Sequence, residues 1–135
     1  MSRQSIQPDA LFPSAEFGFA QVVAVEGKKL VFCAGQTAWD KEMKIVGEYD
    51  LGRQMEKTLE NISHALSAAG ATLKDVVRLT IYIVDYHPDQ LETISTVLGK
   101  FFDKDALPAN TLLGIQALAL PEFLVEMEAT AVVES

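Results

Sequence analysis

One apolar repeat, followed directly by a strict alternation, most constrains how this chain can fold. Between Asp50 and Gly70 five apolar residues recur at steps of four, four, three and four positions, which places them on one face of an α-helix. They are Leu51, Met55, Leu59, Ile62 and Leu66. Asp50 can cap the first turn, and Gly70 can adopt the left-handed conformation that ends a helix. We therefore expect an amphipathic helix that needs an apolar partner surface.

The next segment can supply that surface as a strand. Val77, Leu79, Ile81 and Ile83 alternate with Arg78, Thr80 and Tyr82. This period of two predicts one face packed on helices and one polar face. Pro88 suits the first turn of a second helix. Its apolar face would hold Leu91, Ile94, Leu98 and Phe101.

Four more strands complete the prediction. Residues 19–25 and 29–34 flank Glu26-Gly27-Lys28 as a hairpin, and 111–118 and 124–133 follow the second helix. The order ββαβαββ predicts an α+β fold, with two helices on one face of a mixed sheet. Residues 1–16 hold two of the five prolines and no periodicity, so they predict an irregular arm before a single domain over 17–135.

Charge and hydropathy exclude several classes of partner. The chain has 135 residues, the usual length of one domain. Its formal net charge of −8 and its scattered lysines and arginines would repel a phosphate backbone, so we expect no nucleic acid partner. No apolar run reaches the roughly 18 residues of a membrane span, and no secretory signal opens the sequence. These features are typical of a cytoplasmic protein without a membrane partner.

Cysteine and histidine are too few for a metal site. Cys33 is the one cysteine, so no internal disulfide can form, and a small buried strand residue is the favoured interpretation over a reactive thiol. His64 and His87 have no metal-ligand spacing. The sequence also lacks a glycine-rich phosphate loop and a serine-hydrolase motif. We therefore expect neither a metal nor a nucleotide cofactor.

Several segments resemble the RidA/YjgF family, in the family's order, over nearly all of residues 17–134. They are Phe17-Gly18-Phe19-Ala20-Gln21, Ala34-Gly35-Gln36, Ala68-Ala69-Gly70-Ala71, residues 75–82, Leu107-Pro108-Ala109 and Val125-Glu126-Met127-Glu128-Ala129. The resemblance implies a chorismate-mutase-like fold and a homotrimer with ligand clefts between subunits. Deaminase members hydrolyse reactive enamines and imines without a metal or organic cofactor. Members have also been described as ribonucleases, which the acidic charge of this chain opposes.

The residues that carry the family's chemistry are where this sequence departs. In the deaminases an arginine follows the Pro-Ala dipeptide and binds the substrate carboxylate, whereas this chain has Asn110. An arginine donates two charge-assisted hydrogen bonds to a carboxylate, each worth about 1.5 to 3 kcal/mol. The family's tyrosine, serine and cysteine are replaced by Phe19, Ala34 and Leu112. The resemblance therefore implies a cleft without its carboxylate clamp.

Glu126 is the catalytic candidate, because it matches the glutamate to which the family assigns the positioning of water. The expected ligand-binding residues are Asn110, Thr111, Phe19, Gly35, Gln36 and Gly114. Asn110 and Thr111 together could hydrogen-bond a neutral or zwitterionic ligand, and Gly114 marks either a close approach or a bulge. Glu128 is either a solvated neighbour of Glu126 or a like charge that raises its pKa.

Two other residues have a structural and a functional interpretation. Arg78 fits an intersubunit ion pair better than a ligand clamp, since it lies on the polar face of a central strand. Trp39 fits an edge-covering residue better than a cleft wall. Neither residue enters the expected site.

Three functional hypotheses follow. The first is a homotrimer that binds a small polar metabolite between subunits and hydrolyses it with water positioned by Glu126. The second is a true enamine or imine deaminase in which backbone amides and Asn110 replace the arginine. The third is a protein-interaction or chaperone-like module without chemistry.

The helix-free face of the predicted sheet makes the oligomer testable. It would hold Leu124, Val132, Tyr82 and part of 111–118, which is too apolar to remain in water as one patch. We expect self-association into a closed symmetric oligomer. Sedimentation or light scattering at micromolar concentration measures this, and a monomeric mass would contradict it.

Overall fold

A four-stranded mixed sheet with two helices on one face forms the body of the protein. The computed structural model describes residues 2–134. In chain order the elements are β1 Ser2–Ile6, β2 Val22–Glu26, β3 Lys29–Gln36, α1 Leu51–Ala68, β4 Val76–Val84, α2 Leu91–Phe101, β5 Ala109–Ile115 and β6 Val125–Val133. The main sheet has the order β3-β6-β4-β5. Strand β6 is antiparallel to β3 and β4, and β5 is parallel to β4. The α+β class predicted from the sequence is confirmed.

Helix α1 forms where its apolar period predicts it. The Asp50 side chain accepts a hydrogen bond from the Arg53 amide at 3.1 Å. At the other end, Gly70 has a φ of 78°, and the Ala71 amide closes on the Leu66 carbonyl. Leu59, Ile62 and Leu66 are completely buried against the sheet. Burying each such side chain contributes about 1.5 to 3 kcal/mol, so this face fixes the helix on the sheet.

The central strands follow the predicted alternation with two exceptions. Leu79, Ile81 and Ile83 are fully buried, but a register shift between Val76 and Arg78 turns Val76, and not Val77, into the core. A bulge of this kind adds one residue to one strand, so the side chains before it point to the opposite face of the sheet from the one that simple alternation predicts. The second exception is Val132, which is buried although it pairs with the exposed Leu30 and so lies on the helix-free face, as predicted.

The N-terminal segment is more ordered than the sequence predicts. Ser2–Ile6 is not irregular, because it pairs as β1 with β2 in a separate antiparallel sheet. The Arg3 guanidinium holds β1 in place by donating to the carbonyls of Lys74, Ala106 and Leu107 at 2.7, 3.1 and 3.2 Å. The order of elements is therefore βββαβαββ. Local periodicity misses β1, because its five residues contain one apolar side chain.

The predicted hairpin of residues 19–25 and 29–34 is wrong. Strands β2 and β3 belong to different sheets, although Glu26-Gly27-Lys28 does turn the chain between them. Residues around β2 meet the main sheet at several points. Ala20 forms a parallel bridge with Ala109, and the Lys28 amide donates to the Val133 carbonyl at 3.1 Å.

The open face of the sheet is apolar at its β3 edge and polar at its centre. Leu30 is 61% exposed and Phe32 is 74% exposed. Two strands away, on β4, Arg78 donates to the Thr111 hydroxyl at 2.6 Å. Cys33 points the other way and is buried, as predicted. Within residues 2–134 no helix has the length and apolar character needed to cross a membrane.

Two side-chain amides of α1 connect the helix to the loops beyond the sheet. Gln54 is fully buried; its Nε2 donates to the Glu122 carbonyl and its Oε1 accepts from the Leu124 amide, both at 2.9 Å. About two helical turns further along, Asn61 donates to the carbonyls of Thr37 and Trp39 at 2.9 and 2.8 Å. The helix thereby fixes the turn before β6 and the segment after β3.

Replacing Gln54 by methionine tests this connection. Gln54→Met keeps the length of the side chain but leaves one carbonyl and one amide without partners, and each such loss costs about 1 to 3 kcal/mol. We expect the free energy of unfolding to fall by about 2 to 4 kcal/mol in urea denaturation at equal chain concentration. Gln116→Met, the same change at an exposed position, is the control. Equal stability of the two variants would contradict the assignment.

Candidate functional site

A cleft opens where β3 ends, between α1 and the turn before β6. Its volume is about 910 Å³, and its lining includes Gly35, Gln36 and Glu126. The sequence names these three residues as candidates but gives no distances between them. The fold brings them together because β3 and β6 are hydrogen-bonded neighbours in the sheet.

The walls of the cleft are held by side chains that the sequence analysis did not select. The two hydrogen bonds from Asn61 fix residues 37–39. Trp39 packs edge-on against Phe123, with ring centroids 5.1 Å apart, and both rings line the cleft. Trp39 is therefore a cleft wall, and the preference for an edge-covering role is wrong. His64 also lines the cleft, one helical turn after Asn61.

The position of the Glu126 carboxylate depends on the absence of a side chain at residue 35. A Cβ at Gly35 would overlap Glu126 Oε2 and would lie 2.9 Å from Glu126 Cδ. Because Gly35 leaves this space empty, the carboxylate lies across the backbone of the edge strand and reaches the cleft. Among residues 2–134 it has no hydrogen-bond partner.

Burial and charge make this carboxyl a stronger base than an exposed one. Burial raises the pKa of Glu126, and the nearby negative charge of Glu128 raises it further. Glu128 itself accepts a hydrogen bond from the Tyr82 hydroxyl at 2.6 Å. That hydrogen bond, with burial and the nearby carboxylates, raises the pKa of Tyr82. The like-charge interpretation of Glu128 is thus supported, with Tyr82 as its partner.

The other expected ligand-binding residues lie elsewhere on the chain. Phe19 and Asn110 line a second cavity of about 250 Å³ beside α2. The Asn110 Oδ1 atom is buried and has no hydrogen-bond partner within the described part of the chain. Thr111 pairs with Thr80 and faces the open side of the sheet, where it accepts a hydrogen bond from Arg78. The expectation that Asn110 and Thr111 bind one ligand together is therefore wrong within one subunit.

Gly114 is explained by a close approach rather than by a bulge. A Cβ at residue 114 would lie 2.9 Å from the Tyr86 Cβ. The ladder between β4 and β5 runs from Arg78 to Val84 without a register shift. Gly114 thus accommodates a neighbouring side chain of the same subunit. Among residues 2–134, no cluster of three histidine, cysteine or carboxylate side chains could hold a metal ion.

Comparison with known proteins identifies the family. The model of the family described as Endoribonuclease L-PSP matches residues 10–133. The chain belongs to the RidA/YjgF family. This confirms the family resemblance read from the sequence.

Solved structures and a named relative place the chain within the RidA/YjgF family. YyfB from Yersinia pestis, described as a Rid protein of unknown function, has a TM-score of 0.94 and 41% identity, covering 98% of this chain and all (100%) of that one. TdcF from Escherichia coli, solved with bound serine, has a TM-score of 0.67 and 27% identity, covering 84% and 87%. The 3-aminoacrylate deaminase RutC from Acinetobacter baylyi is 30% identical over 110 residues, which are 82% of this chain and 84% of RutC.

The raised pKa of Glu126 can be measured directly. In a carboxyl NMR titration we expect Glu126 to titrate above its ordinary value of 4.5. Since the folded state holds this proton more tightly than the unfolded state, the stability that Glu126 contributes falls as pH rises through its pKa.

Two variants separate the causes. Glu128→Gln removes the like charge, so the pKa of Glu126 should fall while remaining above the ordinary value, because burial persists. Glu48→Gln, a change at an exposed position, should leave the titration midpoint of Glu126 unchanged. A midpoint at or below the ordinary value in the native protein would contradict this account.

Proposed function

We propose that this RidA/YjgF protein is a homotrimer that binds a small polar metabolite in clefts between subunits. In this proposal Glu126 positions the water that attacks the bound molecule. The ligand is a proposal drawn from the residues of the two cavities. The trimer is a proposal drawn from the family resemblance and from the exposed apolar edge at Leu30 and Phe32.

The observation that carries the proposal is the division of the candidate residues into two groups. Gly35, Gln36 and Glu126 line one cleft, whereas Phe19 and Asn110 line another. A symmetric trimer can bring the first group of one subunit against the second group of its neighbour. Each complete site would then have a carboxylate from one subunit and an apolar wall with an amide from the other.

The chemistry assigned to Glu126 follows from its surroundings. A carboxylate with a raised pKa and no hydrogen-bond partner within residues 2–134 can accept a hydrogen bond from water and orient it. As that water attacks the C=N carbon, one of its protons would pass to Glu126 and from there to the imine nitrogen, which gives a neutral tetrahedral carbinolamine. Transfer of the remaining hydroxyl proton to the nitrogen would then break the C–N bond, release ammonia and leave a carbonyl compound.

A true deaminase acting on 2-imino acids is the second candidate. It is favoured by the 3-aminoacrylate deaminase RutC and by the serine bound in the TdcF structure. Against it stands Asn110, which has no positive charge for a substrate carboxylate. The loss of two charge-assisted hydrogen bonds would lower affinity by about a hundredfold or more.

An imine-hydrolysis assay coupled to an amino-acid oxidase distinguishes the two candidates. We expect the native protein to add little to the spontaneous rate with 2-imino acids. Asn110→Arg restores the charge and should raise the rate by about tenfold or more if the cleft is otherwise intact. The gain should disappear in the double variant with Glu126→Gln.

The matched control is Gln116→Arg, which adds the same charge at an exposed position outside both cavities. It should leave the rate at the native level. Robust 2-imino acid hydrolysis by the native protein would contradict the altered specificity and favour the deaminase.

A further inference from the structure

The second cavity, beside α2, has an unusual lining for a site that binds amino-acid derivatives. Three phenylalanine rings from residues 12–19 form one wall, and the apolar face of α2 with Leu112 forms the other. Asn110 and Ser95 are its polar residues, and no charged side chain lines it. The part of the site that this chain supplies is thus apolar and uncharged.

The aromatic wall is held in place by a buried serine. Ser14 is completely buried, and its hydroxyl donates to the Phe19 carbonyl at 2.7 Å and lies 2.9 Å from Gln7 Oε1. The Phe12 ring packs edge-on against those of Phe17 and Phe19, with both pairs of centroids 6.1 Å apart. Because aromatic rings favour this arrangement, the wall is formed before a ligand arrives.

The Phe12 ring is nevertheless accessible to solvent and to a ligand. It is 57% exposed, although its neighbours hold the loop in place. An exposed ring beside an apolar pocket offers area that a ligand, a neighbouring chain or both can cover. A flat ring on the ligand could extend the edge-on cluster of phenylalanines.

Asn110 supplies the amide of this cavity. Its Oδ1 atom is buried and lacks a hydrogen-bond partner among residues 2–134, which is rare for a buried polar atom. A side-chain amide both donates and accepts, so it complements another amide-like group. A carboxylate only accepts hydrogen bonds, and placing its charge here without a cation would be unfavourable.

From these observations we infer that the cavity binds a neutral molecule with an apolar ring or branched chain and one amide-like end. The N–H of that end donates to Asn110 Oδ1, and its carbonyl accepts from the Asn110 amide group. The apolar body lies between the phenylalanines and α2. This inference rests on the proposed small-molecule function and narrows its ligand; it excludes free carboxylates as the preferred class.

Benzamide and benzoate form a matched pair of probes, since they share a ring and differ at the polar end. Their dissociation constants are measured by NMR titration of the native protein. We expect benzamide to bind about tenfold more tightly than benzoate, and the Asn110 side-chain amide signals to shift with it. Preference for benzoate, or shifts confined to the cleft of Gly35 and Trp39, would overturn the inference.

Two variants test the role of Asn110 by different routes. Asn110→Arg should reverse the preference in favour of benzoate, whereas the surface control Gln116→Arg should keep the native order. Asn110→Leu keeps an uncharged residue of similar size and should weaken benzamide by about fivefold or more while leaving toluene unchanged. An unchanged benzamide affinity in a folded Asn110→Leu protein, verified by circular dichroism, would overturn the inference.

The inference and the proposed function can fail separately. Light scattering on the same samples reports the oligomer. A monomer that still prefers benzamide would remove the intersubunit cleft but keep the ligand class. An oligomer that hydrolyses imines and prefers benzoate would keep the function and overturn the ligand class.

Discussion

The packing of α1 on the sheet is the interaction on which the rest of the structure depends. Its apolar face packs against β6 and β3, which fixes the rotation of the helix and its position along the sheet. Because the orientation of the helix is fixed, the side-chain amides of Gln54 and Asn61 meet defined backbone groups. The turn before β6 and the segment after β3 take their positions from these hydrogen bonds. The cleft is the space left between two loops that one helix holds apart.

Much of this architecture could be predicted because it follows from local patterns. The period of α1 and the alternation of β4 and β6 identify both partners of the core, and Asp50 and Gly70 mark the ends of the helix as expected. What failed depends on contacts distant in sequence. Strand β1 is stabilised by Arg3 through carbonyls more than seventy residues away. The separation of β2 from β3 likewise depends on where the chain joins β5 at Ala109, which no local pattern contains.

The sequence identified residues of the candidate site but not how they are arranged in space. Gly35, Gln36 and Glu126 were named from the family resemblance, and the fold does bring them together. Alternation along a strand could have separated Asn110 from Thr111, since neighbours in a strand face opposite ways. Trp39, Asn61 and His64 carry a weaker signal. In the helical pattern Asn61 is one polar residue among several. Its hydrogen bonds to the carbonyls of Thr37 and Trp39 become apparent only in the folded structure.

The empty space at residue 35 has a consequence for how variation in this family can be interpreted. An added methyl group there would meet the far end of a flexible side chain and not the backbone, so the scaffold could survive the change. The added methyl group would displace one side chain, the Glu126 carboxylate. A glycine is often required by the backbone conformation; Gly35 instead leaves space for the carboxylate of Glu126. Homologues that have lost glycine at this point, while keeping every strand and helix, would then mark lineages in which natural selection no longer maintains that acid.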